Sequence, residues 1–317
     1  MFDFIAIPMG IVLKFIYDNI AFQNYGIAII LFTVGIKTLM LPLTVKQVQS
    51  TSKISELQPQ MQEIQNKYKD DKEKQSAEMM KFYQENKVNP AGGCLPLLIQ
   101  MPILFSLYYV ISQPLKYMAG KSPEMITQLY ELIPQGAEKI MNMKDLSIIA
   151  YYNNHTEQLQ TIFHLLKPED LLNMEFFGIN LGAVPAWNPG NYISSDANIH
   201  SFLLLLIPVL SALTSYISVM YSMKATEKAE EVSKDAEKTD KRKAQTSIQK
   251  NMALISPIMS GVIAFTVPAG LGLYWITGNV YQIAQQMFIN LFVIKKYTDR
   301  KKQIQNGNSE LRQKDTP

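Results

Sequence analysis

The run NYGIAIILFTVGIKTLMLPLTV, residues Asn24–Val45, decides the fold class of this 317-residue chain. Most of its side chains are hydrophobic, none is acidic, and one, Lys37, is a lysine. A helix of about 20 apolar residues is long enough to cross the roughly 30 Å hydrocarbon layer of a bilayer. The run therefore predicts a transmembrane helix that carries a positive charge near its middle.

Outward from this run, further apolar stretches alternate with segments that are rich in Lys and Glu. A globular domain interleaves the two kinds of residue, so their segregation indicates a membrane protein. We predict an all-α membrane protein with five transmembrane helices, at residues 25–45, 95–118, 202–223, 252–267 and 271–294. Only Pro268, Ala269 and Gly270 separate the last two, which predicts a tight hairpin.

The distribution of Lys and Arg predicts how these helices are oriented. Residues 46–90 carry eight lysines, residues 224–250 carry eight basic side chains, and residues 295–317 carry seven. The longer segment 119–200 carries only four. Five spans place the three basic segments on one side, and the positive-inside rule makes that side cytoplasmic. We therefore expect a multi-pass plasma-membrane protein with its N-terminus outside and its C-terminus inside.

The segments between the spans have distinct characters. Residues 1–24 predict an interfacial helix on the outer surface rather than a cleaved signal peptide, because charges and Pro8 interrupt them. Residues 119–200 form a predicted extracytoplasmic loop, and 224–251 a flexible or weakly helical cytoplasmic connector. The basic tail 295–317 is a solvated segment or one that contacts anionic lipid or ribosomal RNA.

Residues 46–90 predict a helical hairpin that projects into the cytoplasm. Apolar side chains fall on one helical stripe, and Lys69-Asp70-Asp71-Lys72 marks a break before a second helix. A solvated charged linker is the alternative. Met61, Met79 and Met80 are candidates for capturing a substrate, since methionine adapts to varied apolar partners, although core filling explains many methionines.

Lys37 is the candidate functional residue. A charge at the bilayer centre costs about 3 kcal/mol on insertion scales, and the five predicted spans contain no Asp or Glu to pair with it. The ammonium must therefore face a water-containing cavity, on the same helix face as Thr33. The alternative is that the span is shifted and Lys37 snorkels at its cytoplasmic end, but five further apolar residues precede the next lysine.

Other polar side chains in the spans are candidates to line the same cavity. Gln100 lies in the second span, and Asn279, Gln282 and Gln286 form one stripe in the last span. Hydrogen bonding between helices explains the amides equally well. The serines of the third span, including Ser211, indicate close helix packing instead, because small residues favour it in membranes.

Several classes of function lack their sequence signatures. The chain has no phosphate-binding glycine loop or nucleophile–base arrangement, so we predict neither an enzyme nor a DNA-binding protein. One cysteine, Cys94, excludes an internal disulfide, and three histidines confined to one loop lack metal-ligand spacing, so we predict no cofactor. The absence of intramembrane carboxylates argues against a proton-coupled transporter.

Four motifs together resemble the YidC/Oxa/Alb family of membrane protein insertases. They are NYGIAIILFTVGIKTLMLPLT (24–44), NPAGGCLPLLIQMPILFSLYYVI (89–111), FFGINLGAVPAW (176–187) and NMALISPIMSGVIAFTVPAGLGLYWITGNVYQIAQQ (251–286). The resemblance implies five helices around a hydrophilic groove that is open to the cytoplasm and to lipid but closed to the outside. It also implies insertion of nascent membrane proteins without nucleotide hydrolysis, alone or beside the Sec translocon.

The resemblance assigns roles to particular residues. Lys37 matches the position of the family's groove cation, which is usually arginine, and Trp275 belongs to the matched Pro-Ala-Gly-Leu-x-Leu-Tyr-Trp turn. Residues 121–172 depart from the bacterial pattern as an insertion. A lipoprotein cysteine is missing, as is the large outer domain expected of Gram-negative members, so the chain resembles a compact, Gram-positive-like member.

Two other functions remain open from the residues alone. A small anion channel or transporter would use Lys37 as its binding charge, although the chain lacks internal repeats. A membrane-embedded assembly scaffold would have the same groove without insertion activity.

Overall fold

The computed structural model describes residues 2–89, 95–137, 139–140, 143–187, 199–231, 255 and 257–294. The predicted tail 295–317 and most of the predicted connector 224–251 lie outside the described residues, as does the beginning of the predicted span 252–267. The rest is almost entirely helical, as the sequence predicts for an all-α protein.

The helices follow the apolar and charged segments in turn. They are α1 (Asp3–Asn19), α2 (Tyr25–Leu39), α3 (Leu41–Glu56), α4 (Gln58–Lys67), α5 (Lys72–Glu85), α6 (Leu95–Ser112), α7 (Pro114–Tyr117), α8 (Pro123–Glu131), α9 (Lys144–Asn154), α10 (Ile199–Glu231) and α11 (Ala269–Phe288). Short 3₁₀ turns occupy Thr156–Gln160 and Pro168–Asp170, residues 257–264 are helical, and a π-helix runs over Ile289–Ile294. The strands β1 (Glu175–Phe176) and β2 (Ile179–Asn180) form an antiparallel hairpin.

The chain divides into two compact units. The first contains residues 1–38, 97–217 and 247–280, and the second contains 39–96, 218–246 and 281–317.

Prolines explain why the helices break where the sequence predicted continuous spans. The first predicted span, 25–45, is bent at Met40, between α2 and α3. Pro42 supplies no backbone N–H for the carbonyl of Thr38, four residues earlier, and its ring crowds that carbonyl, so the helix cannot continue undistorted through this turn. In the same way α6 ends at Ser112, two residues before Pro114 begins α7. Each of the predicted spans 25–45 and 95–118 thus contains a break between two helices, and their bounds as membrane spans stay a prediction.

One described helix is long and apolar enough by itself to cross a membrane, Phe202–Met223 within α10. The bent pair Tyr25–Leu39 and Leu41–Thr51 passes the same test when taken together, and Ile99–Ser112 is a shorter apolar helix. This supports a membrane protein, whereas the count of five spans stays a prediction.

The helix α1 in the first unit is apolar on two sides. Ala6, Met9, Leu13 and Tyr17 are buried, whereas Phe4, Ile7, Ile11 and Phe15 are exposed. Gly10 lies against the backbone of Tyr117, where a Cβ would collide with the carbonyl group. The protein therefore covers one side of α1 and leaves an apolar side open, which suits a helix at a bilayer surface.

The segment 121–172, predicted to be an insertion, packs into the apolar core of the first unit. Leu129 of α8, Leu146 and Ile149 of α9, and Leu166 are each at most 1% exposed. The loop that follows is tied to α2, because the Tyr25 amide donates to the Asn173 carbonyl at 3.1 Å. This hydrogen bond fixes the loop against the N-terminal end of the helix that carries Lys37.

In the second unit α4 and α5 contact each other along the predicted hairpin 46–90. The Asp71 side chain caps α5 by accepting the Lys74 amide at 3.0 Å, and Gln75 Nε2 donates to the Gln65 carbonyl at 2.8 Å. Neither α4 nor α5 has a buried residue, so this pair of helices has no apolar core of its own.

Candidate functional site

Lys37 lies in the last turn of α2, three residues before the bend at Met40. Its side chain is partly buried. Its Cε packs beside α11, where a Cβ built on Gly278 would lie 3.7 Å away. Helix C-terminal carbonyls favour a nearby cation, which offsets part of the cost of burying the charge.

The Lys37 ammonium has no hydrogen-bond or ion-pair partner among the residues that the structure describes. An unpaired charge in an apolar setting is stable only where water or a polar ligand reaches it. The geometry therefore leaves the positive charge available to a ligand that approaches along α11.

Thr33, one turn before Lys37, is fully buried. Its Oγ1 donates to the carbonyl of Ile29 at 2.6 Å, within its own helix. The hydroxyl group is therefore already satisfied, and Thr33 occupies a packed position on the helix face that it shares with Lys37.

Two interhelical hydrogen bonds lie in the same unit as Lys37. Gln100 Nε2 of α6 donates to the Tyr274 hydroxyl of α11 at 2.8 Å. Asn279 Nδ2, one residue after Gly278, donates to Thr214 Oγ1 of α10 at 3.2 Å. Trp275 is partly buried on α11. The amides that the sequence selected as groove candidates thus join α11 to α6 and to α10.

The other two amides of the predicted stripe belong to the second unit. Gln282 is exposed, and Gln286 Nε2 donates to Asn290 Oδ1 at 3.1 Å within its own chain segment. Two residues of the predicted stripe, Asn279 and Gln286, therefore donate hydrogen bonds, and the third, Gln282, is exposed.

The serine stripe of the third span packs closely against another helix, as the sequence indicated. Ser211 is fully buried, and its hydroxyl lies 3.1 Å from that of Ser260. A Cβ added to Gly261 would lie 3.0 Å from Ala212 Cβ. Small side chains thus let α10 and the helical segment 257–264 approach closely.

The three hairpin methionines differ in exposure. Met80 is 53% exposed, while Met61 and Met79 are partly buried. Removing an exposed apolar side chain from water is favourable, and methionine adapts to partners of different shape. Met80 is therefore the methionine best placed to contact a partner.

Sequence reasoning missed three neighbours of the site: Tyr274, Thr214 and Gly278. Tyr274 is the hydrogen-bond partner of Gln100, and Thr214 is that of Asn279. These pairs are separated by 174 and 65 positions in sequence, so only the fold brings them together. The glycine had a signal, because a glycine within a helix often marks a close approach of another chain segment.

It also missed Asp145, a carboxyl group of the helix α9 that is only 4% exposed. Its Oδ2 accepts the backbone N–H of Lys116 at 3.0 Å. Burial raises the pKa of Asp145 to about 6, against the effect of the backbone hydrogen bonds that it accepts. The carboxyl group ties the N-terminal end of α9 to α7.

The N-terminal end of α11 is held by main-chain hydrogen bonds within the first unit. The amides of Ala269 and Gly270 donate to the carbonyls of Ala183 and Leu181, both at 2.8 Å. Trp187 packs edge-on against Phe265 with 4.9 Å between ring centroids. The motif 176–187 is thus fastened over the turn that precedes α11.

These observations indicate a helical integral membrane protein with a lysine in an apolar helix that has no partner among the described residues. Comparison with known sequences identifies the group: the model of the 60Kd inner membrane protein family matches residues 15–297. The chain belongs to this family, which is the YidC/Oxa/Alb family that the motifs resemble.

Curated relatives match over most of the chain. "Membrane protein insertase YidC" of Clostridium perfringens is 31% identical over 284 residues, which cover 89% of this chain and 85% of that protein. The protein of the same name from Caldanaerobacter subterraneus subsp. tengcongensis is 28% identical over 282 residues, 89% and 92% of the two chains. "Membrane protein insertase YidC 2" of Listeria innocua is 30% identical over 294 residues, 90% and 71%.

Proposed function

We infer that this chain is a membrane protein insertase of the cell membrane and that nascent membrane proteins are its substrates. The family and the names of the relatives support this function. The observation that carries the mechanism is the position of Lys37, whose ammonium has no partner among the described residues and whose stem packs beside Gly278.

Lys37 lowers the cost of moving an acidic residue of the substrate into the membrane. A lone carboxylate at the centre of a transmembrane helix costs about 3 kcal/mol. Two opposite unit charges 4 Å apart attract by about 4 kcal/mol at an effective dielectric constant of 20. The attraction of Lys37 for a carboxylate is similar to the free-energy cost of placing that carboxylate in the membrane. One cation therefore suffices to let an acidic tail enter, and the tail is not bound so tightly that it cannot leave.

The groove that contains Lys37 is lined by polar side chains and opens to the cytoplasm and to lipid. The Gln100–Tyr274 and Asn279–Thr214 bonds support an arrangement in which α11 is held in register beside Lys37. The bonds of Ala269 and Gly270 to the outer loop support closure on the other side. The apolar segment of the substrate then leaves sideways into lipid, and its burial there drives insertion.

Five spans, with the N-terminus outside and the C-terminus inside, fit this mechanism. The basic segments 46–90, 224–250 and 295–317 then all face the cytoplasm, where nascent chains arrive. The exposed apolar side of α1 rests on the outer surface of the membrane.

Substrate arrives at the cytoplasmic hairpin 46–90. The exposed Met80 and the absence of a core in α4 and α5 suit a surface that must adapt to different apolar segments. The basic tail 295–317 contacts anionic lipid or the ribosome, and the protein works alone or beside the Sec translocon. It performs no catalysis and needs no cofactor.

Reconstitution of the purified protein into liposomes tests the function against its alternatives. An insertase inserts an added single-span substrate unaided, whereas an assembly scaffold does not. An anion channel instead releases trapped chloride at a rate that depends on Lys37. Chloride flux without insertion would contradict the proposed function.

A further inference from the structure

The outer loop contains a cavity of about 590 Å³ that lies apart from Lys37. All of its lining residues belong to the first unit, and most come from the insertion 121–172 and the loop that follows it. This volume is within the range of pockets that bind small molecules or short segments of chain, roughly 300–1,000 Å³.

The cavity has an apolar floor. It is formed by four side chains that are each at most 7% exposed: Leu146, Ile149, Leu159 and Met174. These side chains offer one inserted aliphatic or aromatic group the contacts that it would have in a protein core.

The rim of the cavity carries amides with hydrogen-bonding groups to spare. Asn153 Nδ2 donates to the Leu172 carbonyl, and Asn173 Oδ1 accepts the Glu175 amide, so each keeps one polar end open within the described part of the chain. Asn154 and Gln23 are exposed on the same rim. Each open amide supplies donors, acceptors or both.

The lining of the cavity carries a negative charge. Among the described lining residues no lysine or arginine occurs, and Glu175 is the one charged side chain. An anionic ligand would find no cation to pair with and would be repelled by the carboxylate. A neutral or basic ligand fits.

We propose that this cavity binds an extended, neutral or basic polypeptide segment, with one apolar side chain on the floor and its backbone amides on the rim. The N–H and C=O groups of an extended chain alternate and match a rim that offers both acceptors and donors. The proposal rests on the proposed function in one respect, since the predicted outward placement of the loop makes a translocated substrate segment without acidic residues the natural occupant. The acidic tails that Lys37 admits are not expected to bind here.

The test measures binding of a peptide to the full-length protein in detergent, where both faces are accessible. The probe is a fluorescein-labelled Gly-Lys-Ser-Leu-Ser-Lys-Gly amide, read by anisotropy. Replacing its leucine by serine should weaken binding on the order of tenfold or more, because the floor loses a buried apolar side chain. Replacing its lysines by glutamates should also weaken binding.

Two variants of the protein locate the binding. Ala150→Trp fills the cavity from its partly exposed wall and should abolish binding, whereas Glu175→Lys should reverse the preference between the basic and acidic peptides. Glu131→Lys, an exposed charge change outside the lining, should leave binding unchanged and is the matched control. Thermal unfolding of each variant shows that it is folded.

Equal binding of the leucine and serine peptides, or unchanged binding to folded Ala150→Trp protein, would overturn the proposal. Competition by maltotriose but not by unlabelled peptide would assign the cavity to a sugar and overturn it as well. Insertion into liposomes is scored separately. Insertion without peptide binding contradicts only the cavity's role, and peptide binding without insertion contradicts only the proposed function.

Discussion

The Cε atom of Lys37 lies opposite Gly278, such that a Cβ added to the glycine would be 3.7 Å from it. The end of the lysine stem thus lies beside α11 at a residue that has no side chain. The two residues are more than 200 positions apart in sequence. Their contact sets where the positive charge stands between two apolar helices.

Substitution of Gly278 should therefore be graded by size. Gly278→Ala places a methyl group at an ordinary van der Waals distance and should keep insertion near wild type, with helix stability raised by about 0.5–1 kcal/mol. Gly278→Leu should displace the Lys37 stem and lower insertion. The measurement is insertion in liposomes together with thermal unfolding of both variants. A folded Leu variant with full activity would show that the contact does not position Lys37.

The Gln100–Tyr274 bond should contribute to stability. Tyr274→Phe removes the hydroxyl and leaves the amide of partly buried Gln100 without its acceptor, at a cost of about 1–2 kcal/mol. Thermal unfolding in detergent should show the loss. Tyr216→Phe, at an exposed position, serves as the control and should leave the unfolding temperature unchanged. Equal unfolding temperatures of the two variants would show that this hydrogen bond makes no net contribution to stability.

Asp145 should make the stability of the segment that contains α7 and α9 depend on pH. Its pKa of about 6 in the folded protein exceeds its ordinary value of 3.8, so the folded state binds more protons between these values. The free energy of unfolding is therefore highest below pH 4 and falls as the pH rises towards 6. The difference between the two pKa values corresponds to about 3 kcal/mol at neutral pH.

Asp145→Asn removes the titration while its amide oxygen still accepts the Lys116 N–H. The variant should be more stable than wild type at pH 7.5 and lose the decline between pH 4 and 6. Unfolding temperatures across this range test the prediction, with the exposed Asp70→Asn as the control. A decline that persists in Asp145→Asn would place its origin elsewhere.

The sequence was sufficient for the helical fold class and the family because both depend on local patterns. Apolar stretches of membrane length and the motifs around Lys37 and Trp275 are contiguous in the chain. Pro42 and Pro114 also indicate the helix breaks at Met40 and Gln113. The mean hydropathy of a span-length window changes little with one proline, so hydropathy alone does not reveal these breaks.

The partners of the site residues could not be derived in the same way. Asn279 and Gln100 read equally well as groove lining or as interhelical bonds, and only the packing of α11 against α6 and α10 gives each a partner. Asp145 looked like an ordinary loop carboxylate. Its burial results from the fold of residues 121–172, for which the sequence offered no template.

The central claim is that the charge of Lys37 admits acidic substrate tails. We expect Lys37→Ala to lower the insertion of an acidic-tailed substrate by about tenfold or more, since 1.4 kcal/mol of lost attraction gives a factor of ten. Lys37→Arg should retain activity, because the charge is kept. Lys46→Ala, which removes an exposed lysine from α3, is the matched control.

The most direct measurement compares two substrates that differ only in their tails, one with aspartates and one with asparagines, in liposomes containing each variant. The mechanism predicts that Lys37→Ala impairs the aspartate substrate and leaves the asparagine substrate close to its wild-type level. Equal insertion of the aspartate substrate by Lys37→Ala and wild-type protein would contradict it.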